Sequence, residues 1–185
     1  MSHQWQQALT DFTDQYPKLM AVTGAGISAG SGIPTYRDDK GHWQSREPIQ
    51  HQAFITDPFQ RQRYWSRSAV GWPYMGRAKP NNAHHALAAL EQAGAISQVV
   101  TQNVDRLHQQ AGHQRVIDLH GRIDQVVCLD CQQTEPRNKL QIRLIETNPL
   151  LADIEATLRP DGDADVSDQL IKDIQPPPVW PVVAC

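Results

Sequence analysis

The sequence predicts an α/β fold with a parallel sheet, followed by a small loop-rich module. Three observations support this prediction. A short apolar run over residues 19–23 leads into a glycine-rich turn, a helical segment and a second apolar run span residues 82–101, and the composition changes after Cys131. A strand, a helix and a second strand in alternation are typical of α/β proteins.

Length and charge limit the class of protein. The chain has 185 residues, with 17 Lys and Arg against 20 Asp and Glu, and a net charge of -3. This size suits one soluble domain, or a domain with a small appendage. The mild acidity and the lack of a basic run argue against a nucleic-acid partner and against electrostatic attachment to a membrane. Because no segment approaches about 18 consecutive apolar residues and the N-terminus lacks a secretory signal, we expect a cytoplasmic protein.

The elements follow from local patterns. Trp5, Leu9, Phe12 and Tyr16 share one helix face, and the helix ends before Pro17. Residues 19–23 form a buried strand that ends at the glycine turn. Apolar residues show no sustained periodicity over residues 38–80, which are predicted to be loops and short helices packed over a site.

The second half of the chain continues the alternation. Asn82 is the predicted cap of a helix that closes at Gly94, and residues 95–101 form the next strand. Residues 116–120 are a third short strand, and residues 125–127 lead into a cysteine pair. After Cys131 the only helix-like run is near residues 140–145.

The glycine-rich turn, residues 24–34, is the first candidate site. Backbone amides in such a turn can approach a pyrophosphate that side chains would obstruct, although Ala29 stands where a third glycine is usual and a plain tight turn is the alternative. Just beyond it, Arg37 could hold a phosphate or a ribose hydroxyl, and Tyr36 could cover a ring. The alternative for Arg37 is a surface ion pair with Asp38 or Asp39.

Polar residues follow the second and third strands. Gln102, Asn103 and Asp105 can contact ribose hydroxyls and a carboxamide at the carboxyl end of a strand, where ligands bind in α/β folds. Capping of the next helix is the alternative, but one residue would satisfy that need. His120, which ends the third strand, is the best candidate for a general base.

The cysteine pair predicts a metal site or a redox site. Cys128 and Cys131 have the spacing of half a four-thiolate zinc site, and their late position makes a redox pair the less favoured alternative. Cys185 is the only further thiol in the chain.

Several of these motifs together resemble one family, the sirtuins, which are NAD-dependent protein deacylases. The resemblance rests on GAGISAGSGIPTYRD at 24–38, TQNVDRLH at 101–108, LHG at 119–121 and CLDC at 128–131. Similarity to the class II branch adds PIQHQAF at 48–54, RQRYWSRSAVGWP at 61–73, PNNAHHAL at 80–87 and RPDGD at 159–163.

The resemblance implies a Rossmann-like NAD-binding domain over residues 1–127 and a partial zinc-binding module over residues 128–185, with the chain ending before the second half of the Rossmann-like domain. It implies NAD and Zn²⁺ as cofactors and an acyl-lysine protein or peptide as the partner. His120 and Asn103 would be catalytic, and zinc would bind Cys128, Cys131 and Cys185. The NAD-binding residues would be Gly24, Ala25, Gly26, Ile27, Pro34, Thr35, Tyr36, Arg37, Gln102, Asn103, Val104, Asp105 and His120.

The family also implies a mechanism. The acyl oxygen of the lysine amide attacks C1′ of the NAD ribose as nicotinamide leaves, and His120 then draws a proton through the ribose hydroxyls so that the 2′ oxygen attacks the resulting imidate. The products are free lysine and O-acyl-ADP-ribose.

Tyr64 and Arg67 have the spacing that binds the acyl carboxylate in sirtuins acting on malonyl-lysine or succinyl-lysine. The alternative is that Tyr64 packs a helix while Arg67 is solvated. Class II relatives also include enzymes with lipoamidase or ADP-ribosyl transfer activity.

The sequence departs from the family near its end. The last residues, 176–185, do not match the family's second cysteine pair, and we hypothesise a truncation or a slip of the reading frame near Pro178. The missing half of the sheet would leave an apolar edge strand unpaired. Two functional hypotheses follow: an NAD-dependent deacylase, and a non-catalytic NAD-binding remnant. A redox protein is a third.

Overall fold

The computed structural model describes residues 2–37, 40–42, 49–155, 159 and 163–174. In these ranges the α-helices are α1 Ser2–Gln15, α2 Ala25–Ser28, α3 His51–Thr56, α4 Pro58–Met75, α5 Asn82–Gln92, α6 Leu107–Gln110, α7 Arg137–Thr147 and α8 Asp168–Asp173, with 3-10 turns at Ala29–Ser31 and Pro149–Asp153. The strands are β1 Leu19–Thr23, β2 Ile96–Thr101, β3 Val116–Asp118, β4 Gln125–Val127 and β5 Thr134–Pro136.

The chain forms two compact units. Unit 1 is Met1–Ser31 with Lys79–Gly121, and unit 2 is Gly32–Ala78 with Arg122–Cys185. The expected domain boundary between residues 127 and 128 stays a prediction. Unit 2 takes residues from both sides of that position.

Unit 1 is built on a parallel sheet in the order β1-β2-β3. The pairing places Thr23 opposite Thr101 and Thr101 opposite Asp118, so the three strands end together. The predicted parallel α/β arrangement and its first two strands are confirmed. The third strand ends at Asp118, two residues earlier than predicted, because the chain turns at Leu119 and His120.

The two faces of this sheet differ in burial. Val99 and Thr101 are buried on one face, and α5 packs against β2. On the other face Met20, Val22 and Ile117 have large exposed fractions. Side chains alternate between the faces of a strand, so this burial pattern leaves one face of the sheet open.

The two long helices of unit 1 occur where they are predicted. The apolar stripe of α1 is exposed rather than buried, with Trp5 58% accessible. The cap of α5 is Asn81, not Asn82 as predicted. The Asn81 side chain accepts from Ala83 N, and Asn81 N donates to His84 Nδ1, so the two residues form a reciprocal capping box.

The prediction of loops and short helices over residues 38–80 is wrong in its second half, because α4 is 18 residues long. Asp57 caps this helix by accepting from Phe59 N and Gln60 N, and Pro58 occupies its first turn. The middle of α4 is buried around its whole circumference, over the consecutive residues Ser66, Arg67, Ser68, Ala69, Val70 and Gly71. These small and polar residues give no apolar period, which is why the sequence pattern does not reveal the helix.

In unit 2, helix α7 packs against α4 and against the antiparallel β4-β5 hairpin. Its core contains Ala69, Val70, Leu140, Leu144, Leu151, Ala164 and Ile174. The prediction of a loop-rich module with one short helical run is therefore incomplete: the run at 140–145 belongs to the longer helix α7, and β5 and α8 were missed. No helix in the described part of the chain is both long enough and apolar enough to span a bilayer.

Leu144→Ala should lower the free energy of unfolding by about 2–5 kcal/mol, because it opens a cavity in a fully packed core. Chemical denaturation followed by circular dichroism measures this loss. Ile142→Ala on the exposed side of the same helix is the matched control and should cost less than about 0.5 kcal/mol. Equal losses for the two variants would contradict the assigned core.

Candidate active site

Three loops begin side by side at the carboxyl edge of the unit 1 sheet. The parallel ladder continues past the strands, because Gln102 N donates to Thr23 O at 3.0 Å and Leu119 N donates to Thr101 O at 2.9 Å. The glycine-rich turn therefore lies beside the loop after β2, and that loop lies beside His120. Ligands in open α/β sheets bind at this edge.

The glycine-rich turn is held by Asn81. After Gly24 the chain forms the short helix α2, and Asn81 Nδ2 donates to Ile27 O at 2.7 Å and to Ser31 Oγ at 3.0 Å. A Cβ on Gly30 would lie 3.1 Å from Asn81 Nδ2, so a larger residue there would push this anchor away. The turn is thus fixed from the N-terminal cap of α5.

A buried polar network joins the glycine-rich turn to the loop after β2. Ser28 Oγ donates to Asp105 Oδ2 at 2.6 Å, and Asp105 Oδ1 accepts from Leu107 N at 2.9 Å. Asp105 and Ser28 are both buried. Both oxygens of Asp105 are thus engaged within the protein, and this carboxylate positions the two loops against each other.

Asn103 completes the network. Its Nδ2 donates to Gly24 O at 3.0 Å and to Ser28 Oγ at 3.1 Å, and its backbone N donates to Thr101 Oγ1. The two amide hydrogens have acceptors, so Oδ1 is the side-chain atom that can receive a hydrogen bond from a ligand. Val104 is half-buried between Asn103 and Asp105.

His120 is exposed and is oriented by the backbone of Gln102. Its Nδ1 lies 3.0 Å from Gln102 O. A carbonyl oxygen only accepts, so Nδ1 carries the hydrogen and Nε2 of the neutral ring presents a lone pair. Gly121, with φ of 79°, follows at once and turns the chain away. This geometry suits a general base.

The loop after β2 carries a strained residue. Arg106 has φ of 66°, in the left-handed region. Its guanidinium forms an ion pair with Asp118, which also accepts from Gln109 Nε2 at 3.0 Å. The carboxylate at the end of β3 thus holds the strained residue and the helix α6 that follows it.

Three histidines pack against one another near the end of β1. The rings of His84, His108 and His113 meet edge to face at 5.0 and 5.1 Å. Thr23 Oγ1 lies 2.9 Å from His108 Nε2, which ties the cluster to the last residue of β1. His113 Nδ1 lies 2.5 Å from Glu91 Oε2.

Burial favours the neutral form of two of these rings, His84 and His108. Burial, with smaller contributions from His84 and His113, lowers the pKa of His108 to about 4. Burial also lowers the pKa of His84, against the opposing effect of Asp105. Burial acts to raise the pKa of Glu91, but hydrogen bonds from His113 and Arg115 together hold it below its ordinary value.

The predicted site residues from Pro34 to Arg37 belong to unit 2. Pro34, Thr35 and Tyr36 are half-buried and Arg37 is exposed. Thr35 Oγ1 donates to Arg37 O at 2.7 Å, and Arg37 Nη1 donates to Gly41 O at 3.1 Å. The alternative ion pair of Arg37 with Asp38 or Asp39 lies outside the described residues.

Tyr64 and Arg67 lie on α4 in different surroundings. The Tyr64 ring packs edge-on against Phe54 and Trp65. Arg67 is buried, donates from Nε to Ala164 O at 3.2 Å, and has Nη2 3.4 Å from Asp163 Oδ2. The guanidinium is therefore already paired with a carboxylate.

The cysteine pair lies in the β4-β5 hairpin. Cys128 is buried and Cys131 is exposed. Cys128 N donates to Gln133 O at 2.9 Å, and Gln132 turns the chain with φ of 62°. Cys185 lies outside the described residues. No group of three or more His, Cys, Asp or Glu side chains suited to a metal occurs in the described part of the chain.

Several residues that shape the site were not predicted from sequence. Local spacing in the sequence predicts no role for the side chains of Ser28, Asn81 and His108. The available signal for Ser28 was its place directly after the glycines. The contacts of Asn81 and His108 join positions 50 to 85 residues apart, which local patterns do not report.

A comparison with protein families identifies the chain. The sequence profile described as the Sir2 family matches residues 24–162. The chain belongs to the Sir2 family. The predicted sirtuin resemblance is therefore confirmed.

Curated relatives support this membership. The chain is 51% identical over 92% of its length to the NAD-dependent protein deacetylase of Xanthomonas axonopodis pv. citri, and 51% identical over 88% of its length to that of Bordetella bronchiseptica. It covers 58% and 60% of these two relatives, so it spans a little under two thirds of their length.

Solved structures show the same fold. A Sir2 homologue in complex with ADP-ribose is 38% identical with a TM-score of 0.60, covering 68% of this chain and 52% of that chain. A Sir2 protein bound to a propionylated peptide is 34% identical with a TM-score of 0.62, covering 77% and 55%. The Sir2 fold class of this chain is accordingly Rossmann-like α/β with a parallel sheet.

The histidine cluster predicts acid sensitivity of this Sir2 chain. The unfolded chain binds a proton on His108 near pH 6.5, whereas the folded chain does so near 4, so stability falls as the pH falls through this window. The loss from His108 should be on the order of 3 kcal/mol. Denaturation measured from pH 7 to 4.5 gives the slope.

His108→Gln should flatten this slope below pH 6.5, whatever its stability at pH 7. His85→Gln, at the exposed neighbour of His84, is the control and should retain the slope. A slope unchanged by His108→Gln would disprove the contribution of the cluster.

Proposed function

We propose that this chain carries the catalytic side chains of an NAD-dependent protein-lysine deacylase. The single observation that carries the proposal is the hydrogen bond between His120 Nδ1 and Gln102 O, which leaves Nε2 as a proton acceptor at the carboxyl edge of the sheet. The relatives named NAD-dependent protein deacetylase, at 51% identity, support the same activity. Residues 1–127 would be the NAD-binding domain and residues 128–185 the partial zinc module, in a cytoplasmic protein.

The residues present in unit 1 fit a dinucleotide. The N–H groups of Ala25 and Gly26 begin α2 and have no acceptor within it. A Cβ on Gly26 would meet no atom within 4 Å, so there is open space beside the turn. When bound, NAD would supply the electrophilic ribose carbon and the nicotinamide leaving group. The complexes of Sir2 homologues with ADP-ribose support this site.

Different side chains of unit 1 would bind the ribose and accept its proton. Asn103 Oδ1 would accept from a ribose hydroxyl, while its Nδ2 stays on Gly24 O. His120 Nε2 would take a proton from a ribose hydroxyl. Asp105 would act through Ser28 and Leu107 and would not touch the ligand. Pro34, Thr35, Tyr36 and Arg37 stay candidate NAD contacts from unit 2.

The acyl group that suits this chain is uncharged. Tyr64 and Arg67 stay candidate acyl contacts, but the pairing of Arg67 with Asp163 means that a ligand carboxylate would have to displace a buried carboxylate. We therefore infer a preference for acetyl-lysine over succinyl-lysine. The relative bound to a propionylated peptide takes a neutral acyl group of similar size.

The zinc proposal rests on the hairpin alone. A structural zinc site takes four ligands, and the two cysteines of the hairpin supply half of them. The described residues do not complete this set, so Cys185 is the proposed third ligand. The cysteines must be reduced to bind zinc, because only a thiolate is a ligand. No catalytic step depends on this site.

Nicotinamide release in the presence of NAD and acyl-lysine peptides tests the deacylase proposal. We expect release that depends on an acetyl peptide, at least about tenfold slower release with a succinyl peptide, and loss of product formation in His120→Ala with NAD binding retained. His85→Ala should leave both unchanged. Saturable NAD binding without release would instead support the non-catalytic NAD-binding alternative. Lipoyl peptides and labelled NAD would detect lipoamidase and ADP-ribosyl transfer activity.

Zinc content of the reduced chain tests the metal proposal. Mass spectrometry of metals should find zinc bound to the parent chain, and Cys128→Ser should lose at least half of it because a thiolate ligand is removed. Asp130→Asn, between the two cysteines, is the control and should keep the zinc. Equal loss in both variants, or a zinc-free reduced parent, would reject the site.

A further inference from the structure

The loop after β2 contains a strained residue that no step of the proposed reaction uses. Among the described residues, Arg106 and Gln132 are the two non-glycine residues with φ in the left-handed region. Gln132 lies in the turn of the β4-β5 hairpin, where such a conformation is common. Arg106, with φ of 66°, instead lies between Asp105 and helix α6. Backbone strain of this kind persists only where the surroundings enforce it, and it is concentrated at ligand sites.

The left-handed conformation of Arg106 allows Asp105 to make two contacts at once. Asp105 Oδ1 accepts from Leu107 N at 2.9 Å, across Arg106, and Asp105 Oδ2 accepts from Ser28 Oγ at 2.6 Å. A change of Arg106 to the right-handed region would rotate the peptide that follows it and move the Leu107 N–H relative to this carboxylate. The conformation of Arg106 therefore controls the position of the Asp105 carboxylate.

The position of Asp105 is passed on to the ligand-facing atom of Asn103. Ser28 Oγ, which donates to Asp105, also accepts from Asn103 Nδ2 at 3.1 Å. The same amide nitrogen donates to Gly24 O, so Asn103 Oδ1 is left for a ligand. One continuous series of contacts thus connects the backbone of Arg106 with the proposed acceptor of a ribose hydroxyl.

Asp118 holds the side chain of Arg106. The two side chains form an ion pair and are 18% accessible in Arg106 and 21% in Asp118. A pair that is largely shielded from water interacts more strongly than an exposed one. Asp118 also accepts from Gln109 Nε2 at 3.0 Å, and its pairing with Thr101 fixes it in the sheet. The ion pair can therefore offset the backbone strain at Arg106.

We propose that Arg106 and Asp118 are positioning residues for the proposed NAD site. Their ion pair stabilises the left-handed conformation of Arg106 and so keeps the side chains after β2 in the arrangement that accepts a ribose hydroxyl. Neither residue touches the ligand in this role. The proposal rests on the proposed function, to which it adds the two residues that keep the loop competent for binding.

Alanine and glycine at position 106 separate the backbone conformation from the charge. Arg106→Ala and Arg106→Gly both remove the guanidinium, but only glycine adopts the left-handed conformation without a steric cost. Exchange of the Leu107 backbone amide, measured by NMR without ligand, should be at least about fivefold faster in Arg106→Ala than in Arg106→Gly. Calorimetry should find ADP-ribose bound at least about fivefold more weakly by Arg106→Ala, because its loop is competent for a smaller fraction of the time.

Asp118→Asn tests the ion pair. The substitution keeps an acceptor for Gln109 and removes the charge that holds Arg106. In the parent it should speed exchange of the Leu107 amide and weaken ADP-ribose binding, each at least about fivefold, but in Arg106→Gly less than about twofold, because glycine needs no support. In turnover the KM for NAD should rise while kcat stays within about twofold, since saturating NAD selects the competent loop.

Asp124→Asn is the matched control. It removes the same charge from the ion pair of Asp124 with Arg122 in unit 2. The Leu107 amide of this variant should exchange as in the parent, and ADP-ribose should bind with the parent affinity. Circular dichroism establishes that each variant is folded before it is compared.

Three outcomes would overturn the proposal. The first is equal exchange of the Leu107 amide in Arg106→Ala and Arg106→Gly. The second is an equal effect of Asp118→Asn in the parent and in Arg106→Gly. The third is a lower denaturation temperature in Asp118→Asn with unchanged exchange and affinity, which would indicate a structural role alone. A parent chain without affinity for ADP-ribose would reject the proposed NAD site instead, and amide exchange, which is read without ligand, would still decide whether the ion pair holds the loop.

Discussion

The parallel register of β1, β2 and β3 is the constraint on which the candidate site depends. It places Thr23, Thr101 and Asp118 in one row at the end of the sheet. Each of these side chains holds the loop that follows β2: Thr23 contacts His108, Thr101 accepts from Asn103 N, and Asp118 binds Arg106 and Gln109. A slip of one residue would turn the row to the open face and release the loop.

The buried interior next to this row of side chains is polar rather than aliphatic. His84, His108 and His113 fill space between α5 and the sheet, and Glu91 satisfies His113 and the backbone of Arg115. One nitrogen of each ring has a hydrogen-bond partner, whereas His84 Nε2, His108 Nδ1 and His113 Nε2 have none among the described residues. Unpaired buried polar atoms are costly, and paired ones fix one arrangement of the surrounding chain. The cluster therefore lowers the stability of the fold at low pH. Through the contact of His108 with Thr23 it also fixes the end of β1, where the glycine-rich turn begins.

The sequence predicted the elements whose signals are local. β1 is a continuous apolar run bounded by a glycine, and α1 and α5 have helical spacing with recognisable ends. It missed α4, whose middle is buried on all sides, contains serines, an arginine and small residues, and so lacks an apolar period. The placement of Asn103 and His120 at the carboxyl edge of the sheet was predicted from strand ends. The roles of Ser28 and Asn81 were not, because their contacts depend on tertiary structure.

The side chains of Asn103 and His120 are held in place in the same way. In each side chain one nitrogen donates to a backbone carbonyl at the sheet edge, Gly24 O or Gln102 O, and the remaining polar atom is left for a ligand. A ligand can then bind without first breaking a protein hydrogen bond, and the side chain loses little rotational freedom when it does. Preorganisation of this kind lowers the entropy cost of binding. It also makes the backbone register, and not only the two side chains, a determinant of the site.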